Sequence, residues 1–93
     1  DLPPEMRSEF AGWLLLSDAN LWEIAQSRFE EAKQIALETL IELQKQRPLV
    51  DAEQRQLDQL LRESQELMLR KAEAQRLLAQ RGIRVYPKPN SLN

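Results

Sequence analysis

The sequence predicts an all-α protein, and three observations support this fold class. Only two glycines and five prolines occur in 93 residues, so long segments contain no residue that interrupts a helix. Apolar residues recur three and four positions apart over most of the chain, which is the helical period. Apart from a short stretch at residues 83–86, no alternating apolar segment of strand length occurs. We therefore expect one helical domain over residues 1–93.

The main element of the predicted fold is an antiparallel hairpin of two helices, at about residues 28–46 and 52–81. Two shorter N-terminal helices are expected to pack across it, and residues 83–93 to form an extended, partly loose tail.

The first predicted helix begins at Pro3 or Pro4, because the first turn of a helix does not need the N–H group that proline lacks. Glu5 follows in the first turn, where an acid interacts favourably with the positive end of the helix dipole. The apolar residues of this segment recur at helical spacing: Met6, Phe10, Trp13 and Leu14.

The second predicted helix is short and ends at about Gln26. Ser17 is expected to cap it by accepting a backbone N–H, and Asp18 adds a favourable charge there. The corner between the first two helices has few backbone contacts, so large side chains must anchor it. We expect packing or interface roles for the bulky residues around this corner and near the chain end: Phe10, Trp13, Leu14, Leu21, Trp22, Leu69, Leu77 and Leu78.

The third predicted helix begins near Ser27, where the spacing Ser27-x-x-Glu30 matches a capping box, or continues from the second helix with a kink. It ends before Pro48, which removes a backbone donor and clashes with the preceding turn. Its apolar arc is wide enough to contact more than one neighbour, while Ile35 points away from it.

The fourth predicted helix begins after Asp51, with Gln54 at capping-box spacing, and ends at Gly82, a residue suited to a left-handed C-cap. At the usual rise it is roughly 45 Å long, whereas the third helix is roughly 25 Å. The rear half of the fourth helix therefore extends beyond its partner. We expect the first two helices or a second copy of the chain to cover it, and hence a homodimer.

Charge is distributed unevenly. Residues 1–69 carry 7 Lys/Arg and 14 Asp/Glu, whereas residues 70–93 carry 6 Lys/Arg and one acid, Glu73. The basic end is a candidate contact for nucleic acid or for an acidic partner through Arg70, Lys71, Arg76, Arg81, Arg84 and Lys88. The alternative is a solvated or acid-paired helix end, because cations also offset the negative end of a helix dipole. No sequence signature of a DNA- or RNA-binding motif accompanies these residues.

Several classes of chemistry are excluded by composition. The sequence contains neither cysteine nor histidine, which rules out disulfides, thiol nucleophiles, imidazole catalysis and structural zinc sites of the Cys/His type. Two carboxylate pairs, Glu38 with Glu42 and Glu63 with Glu66, flank the apolar stripe and are interpreted as solvated. We expect no catalytic residue, cofactor, metal or small-molecule substrate, and thus no enzyme. The apolar runs are too short for a membrane span.

About two thirds of the chain resembles a known sequence pattern. The resemblance is carried by two segments, SDANLWEIAQSRF at residues 17–29 and LRESQELMLRKAEAQRLLAQRG at residues 61–82. The matching positions are Ser17, Asp18, Leu21, Trp22, Ile24, Ala25, Ser27, Arg28, 68–72, Leu77, Leu78, Arg81 and Gly82. This pattern resembles a helical-hairpin segment of small uncharacterised bacterial proteins, some of antitoxin type. These 93 residues contain neither the N-terminal DNA-binding or dimerising piece of such antitoxins nor the glycine-threonine loop common in the pattern.

The resemblance implies a helical hairpin made from packing and capping residues. Together with the composition, it leads us to expect a cytoplasmic, non-enzymatic module for protein–protein interaction or regulation, antitoxin-like and homodimeric. The alternative is a nucleic-acid-binding protein that uses the basic C-terminal end.

Overall fold

A computed structural model describes residues 2–83 of the chain. These residues contain four α-helices, one 3-10 turn and no strand, which confirms the predicted all-α class. The helices are α1 (Pro4–Gly12), α2 (Asp18–Ala25), α3 (Glu31–Gln46) and α4 (Asp51–Gln80), and the 3-10 turn, Trp13–Leu15, follows α1. The predicted tail beyond Ile83, with Arg84 and Lys88, lies outside the described residues.

The described residues form two compact units. Unit 1 contains residues 2–27 and 70–83, and unit 2 is Arg28–Leu69. Helix α4 therefore contributes residues 51–69 to unit 2 and residues 70–80 to unit 1. Each unit has its own buried cluster, and the single domain over residues 1–93 stays a prediction.

The core of unit 1 is built by all its helical elements. Its buried members are Met6, Phe10, Trp13, Leu21, Ala25, Ala74, Leu77 and Leu78. The rings of Phe10 and Trp13 have centroids 4.7 Å apart and are tilted by 57°, a geometry that aromatic pairs favour. The rear of α4, which the sequence left without a hairpin partner, thus packs in a cluster with residues of α1 and α2.

Helix α2 begins as its sequence predicts. The Ser17 hydroxyl accepts a hydrogen bond from the Asn20 backbone N–H at 3.1 Å, and Asp18 lies in the first turn. The end of α2 is closed by a second serine, because Ser27 donates its hydroxyl to the Ile24 carbonyl at 2.7 Å.

The predicted start of the third helix is wrong by a few residues. No capping box forms between Ser27 and Glu30, because the Ser27 hydroxyl is used by the preceding helix. Helix α3 begins at Glu31, with Glu30 as an N-cap that makes no side-chain capping bond. Sequence spacing alone does not distinguish a serine that opens a helix from one that closes the helix before it.

Helix α4 begins one residue earlier than predicted, and a different acid caps it. The Val50 backbone N–H donates to Glu53 Oε1 at 2.9 Å. Glu53 therefore accepts the N-cap N–H, which is the contact that the capping-box spacing assigns to Gln54. At the other end, Gly82 has a φ of +84°. The Ile83 N–H donates to the Leu78 carbonyl at 2.8 Å, and the Gly82 N–H to the Ala79 carbonyl at 3.0 Å. This is a Schellman closure, and it confirms the predicted stop at Gly82.

The core of unit 2 is smaller. It contains four buried leucines, Leu37 and Leu40 from α3 and Leu57 and Leu60 from α4. Phe29, Ala36, Ile41 and Leu49 pack against it while partly buried. Ile35, which the spacing predicts to point away from the apolar stripe, is 55% exposed.

Candidate interaction surface

The turn that follows α1 divides four consecutive large apolar residues between core and solvent. Trp13 is buried and Leu16 is partly buried against the unit 1 core. Leu14 and Leu15, by contrast, are 65% and 92% exposed. In a 3-10 turn, side chains three positions apart are eclipsed, so burying Trp13 and Leu16 directs the two residues between them outward.

Trp22 is the third large apolar residue that unit 1 exposes. Its neighbours Leu21 and Ala25 are buried, whereas Trp22 itself is 44% exposed. It lies one helical turn after Asp18, so the two residues share a face of α2. We call Leu14, Leu15 and Trp22 the leucine–tryptophan patch.

Arg81 holds the backbone beneath this patch. Its Nη1 donates to Asp18 Oδ1 at 2.7 Å, and its Nη2 donates to the Leu14 carbonyl oxygen at 3.2 Å. One guanidinium thus connects the residue after α4 with the first turn of α2 and with the 3-10 turn. The Arg81 side chain is 29% exposed and the Asp18 side chain 60%. The planar, forked guanidinium suits such a double contact better than a lysine ammonium would.

Two other arginines predicted at the basic end, Arg70 and Arg76, also contact acids of their own unit. Arg70 donates from Nε and Nη2 to the two carboxylate oxygens of Glu9, at 2.9 and 3.1 Å. Arg76 donates to Glu73 at 2.6 Å from Nη2, and this hydrogen bond raises the pKa of Arg76. Lys71 is half-buried, and Arg84 and Lys88 lie outside the described residues. Among the described cations of this group, the arginines are part of ion pairs within the protein.

The predicted packing residues do not all lie in a core. Phe10, Trp13, Leu21, Leu77 and Leu78 are buried in unit 1, whereas Leu14 and Trp22 belong to the exposed patch. Leu69, at the end of unit 2, is also exposed. Leu15 is absent from the predicted set although it is the most exposed large apolar residue described. The run Trp13 to Leu16 could have predicted that some of these side chains are exposed, because four consecutive helical residues span too wide an arc to face one core.

The charged side chains of unit 2 are arranged as ion pairs and caps. Arg47 donates to both Glu53 oxygens, at 2.9 and 2.8 Å. Together with the Val50 N–H, this contact lowers the pKa of Glu53 to about 2. The Gln59 amide and the Lys33 ammonium lower the pKa of Glu63, and the same carboxylate raises the pKa of Lys33. The hydrogen bonds and ion pairs of unit 2 therefore account for these pKa shifts.

The carboxylate pairs noted in the sequence have local partners too. Gln34 donates to Glu38 at 2.8 Å, and Lys45 pairs with Glu42 at 3.0 Å. Within residues 2–83, no three acidic side chains come together as a group that could ligate a metal ion. None of the helices in this part of the chain combines the length and apolar composition needed to cross a bilayer.

Comparisons of the chain with protein-family models, with curated proteins and with solved structures find no match.

Proposed function

We propose that this protein is a non-enzymatic helical module for protein–protein interaction or regulation, and that its leucine–tryptophan patch is the contact surface. The observation that carries the proposal is the exposure of Leu14 and Leu15 on a turn whose backbone Arg81 holds in place. A turn whose backbone is held in place before binding loses little backbone entropy when it binds. Tryptophan, as in Trp22, and arginine, as in Arg81, are among the residue types enriched at the energetic centres of interfaces.

The proposed partner is a protein, with a second copy of this chain as the first candidate. The resemblance to bacterial proteins of antitoxin type adds a regulatory role, in which the patch would cover a surface of a toxin protein. A cytoplasmic location belongs to the same proposal.

We further propose that α3 and the first part of α4 form the antiparallel hairpin expected from the sequence. Two ion pairs within unit 2 support this arrangement. Lys33 near the start of α3 contacts Glu63 at 2.7 Å, whereas Arg47 after its end contacts Glu53 near the start of α4 at 2.8 Å. An early residue of α3 thus pairs with a later residue of α4, and a residue after the end of α3 pairs with an early residue of α4. Antiparallel neighbouring helices produce this order of contacts. In unit 1, the shared cluster supports packing of α1 and α2 against the end of α4.

The function is tested by affinity capture with purified tagged protein and extract from the source cells. Leu15→Glu places a charge on the most exposed residue of the patch and should abolish capture of the partner. Ile35→Glu is the matched control, because it places the same charge on another exposed apolar residue, in unit 2. Capture that is lost equally in both variants, or that survives Leu15→Glu, would contradict a role for the patch.

A further inference from the structure

We infer that a second copy of this chain covers the leucine–tryptophan patch, in a two-fold dimer in which Arg81 of each subunit faces the partner subunit's Asp18. This inference rests on the proposed function and names the partner of the same surface. It is based on two observations: Arg81 and Asp18 carry opposite charges beside the patch, and the Asp18 side chain remains exposed although it contacts Arg81.

The charges beside the patch are self-complementary. Arg81 and Asp18 lie there together, joined by a 2.7 Å hydrogen bond. A two-fold axis places identical surfaces against each other, so a patch bordered by one sign of charge would repel its own copy. A border with one cation and one anion lets each subunit offer the other an opposite charge at both ends of the contact.

Both groups keep bonding capacity for a partner. The guanidinium has five N–H donors, and its contacts to Asp18 and Leu14 come from Nη1 and Nη2. The Asp18 carboxylate accepts its bond from Arg81 through Oδ1, and its side chain is still 60% exposed. A carboxylate has about four acceptor positions on its two oxygens, so it accommodates a second arginine contact.

The apolar residues form the centre of the contact. Leu14, Leu15 and Trp22 are apolar, as the fully buried part of an interface is. Arg81 lies beside them through its contacts to Asp18 and to the Leu14 carbonyl. A stable interface of standard size buries about 800 Å² per partner, which is more than three side chains supply. We therefore expect a weak dimer, with a Kd on the order of 10–100 µM.

The first test is sedimentation velocity on the whole chain over a range from about 5 to about 500 µM, which brackets the expected Kd. The protein should change from monomer to dimer over this range. Leu15→Glu should weaken the dimer at least about ten-fold, equivalent to about 1.4 kcal/mol, and the control Ile35→Glu should leave it unchanged.

The second test exchanges the charges. Arg81→Asp alone and Asp18→Arg alone should each be monomeric, because every contact between subunits would join like charges. An equimolar mixture of the two variants should form a heterodimer. One subunit then carries acids at both positions and the other carries arginines at both, so each contact between subunits joins opposite charges again. The pair within each chain remains broken in both variants, so rescue on mixing reports only contacts between subunits.

Circular dichroism establishes that each variant folds. If either charge reversal fails to fold, Arg81→Gln and Asp18→Asn replace the pair, and each should weaken the wild-type dimer several-fold. A wild-type chain that stays monomeric at the highest concentration would overturn the inference. So would a mixture with no more dimer than its components, or neutral variants that dimerise as wild type. In any of these cases, capture that depends on Leu15 would still support the proposed function with a different protein.

Discussion

The two units of this chain differ in the size of their buried cores. Unit 1 buries eight apolar residues from α1, the 3-10 turn, α2 and α4, including Phe10 and Trp13. Unit 2 buries four leucines from two helices. Ion pairs accompany both cores, such as Arg47–Glu53 in unit 2 and Arg70–Glu9 in unit 1. Both units also expose large apolar residues: Leu14, Leu15 and Trp22 in unit 1, and Ile35, Val50, Leu61, Met68 and Leu69 in unit 2. The units therefore differ in the size of their cores and not in whether they expose apolar residues, and the patch of unit 1 is distinguished by the Arg81 contacts to Asp18 and Leu14.

The largest expected effect is the loss of a fully buried leucine from unit 1. Leu78→Ala should lower the free energy of unfolding by about 3–4 kcal/mol, since Leu78 is fully buried in the eight-residue cluster of unit 1. Leu60→Ala in unit 2 should cost about 2 kcal/mol, because its cluster is smaller and nearer to solvent. Urea denaturation measures both, with Leu15→Ala as a control that changes little. A greater loss for Leu60→Ala would show that the comparison of the two cores is wrong.

A smaller effect is expected at the two glycines, and its sign should differ between them. An added Cβ meets nothing within 4 Å at either position, so backbone conformation decides. Gly82 has φ +84°, and Gly82→Ala should cost about 1 kcal/mol. Gly12 has φ −78°, and Gly12→Ala should stabilise by about 0.5–1 kcal/mol by restricting the unfolded chain. Thermal unfolding tests the pair, and equal shifts would contradict this interpretation.

The stability of unit 2 should decrease at low pH, and Glu53 should be a source of this decrease. The effect should be smaller than that of the glycine substitutions. Its pKa in the folded protein is about 2, below the ordinary value of 4.5. A depressed pKa contributes stability that is fully present above the ordinary value and is lost as pH falls from about 4.5 toward 2. Glu53→Gln removes this contribution, so its Tm should fall less than that of wild type between pH 7 and pH 3. Hydrogen exchange at residues 47–53 measures the local effect, and identical acid sensitivity would exclude Glu53 as its source.

The smallest effect is expected on heparin binding, which tests the nucleic-acid alternative. Arg76 and Arg81 are paired with acids, so replacing both by alanine should change retention little. Replacement of Arg7 and Arg55, two exposed arginines elsewhere, is the control. A large drop in the salt concentration needed for elution, confined to the first variant, would favour a nucleic-acid contact at the basic end.

Helix existence and most helix ends were predictable because they depend on local chemistry. Ser17 and Gly82 perform the capping roles that their residue types favour. The start of α3 was predicted wrongly because Ser27 has two possible partners, and only the folded chain shows that it bonds back to Ile24. The hydrogen bonds from Arg81 to Asp18 and to the Leu14 carbonyl join residues that are more than sixty positions apart in the sequence. Helical periodicity contains no information about such contacts.

The position of Arg81 directly before the Schellman glycine constrains the length of the last turns of α4. Inserting or deleting one residue between Ala74 and Arg81 would rotate the guanidinium by about 100° around the helix axis. It would then no longer reach the Leu14 carbonyl, even if Leu77 and Leu78 found new packing. This segment is therefore expected to tolerate substitutions at its exposed positions better than a change in its length.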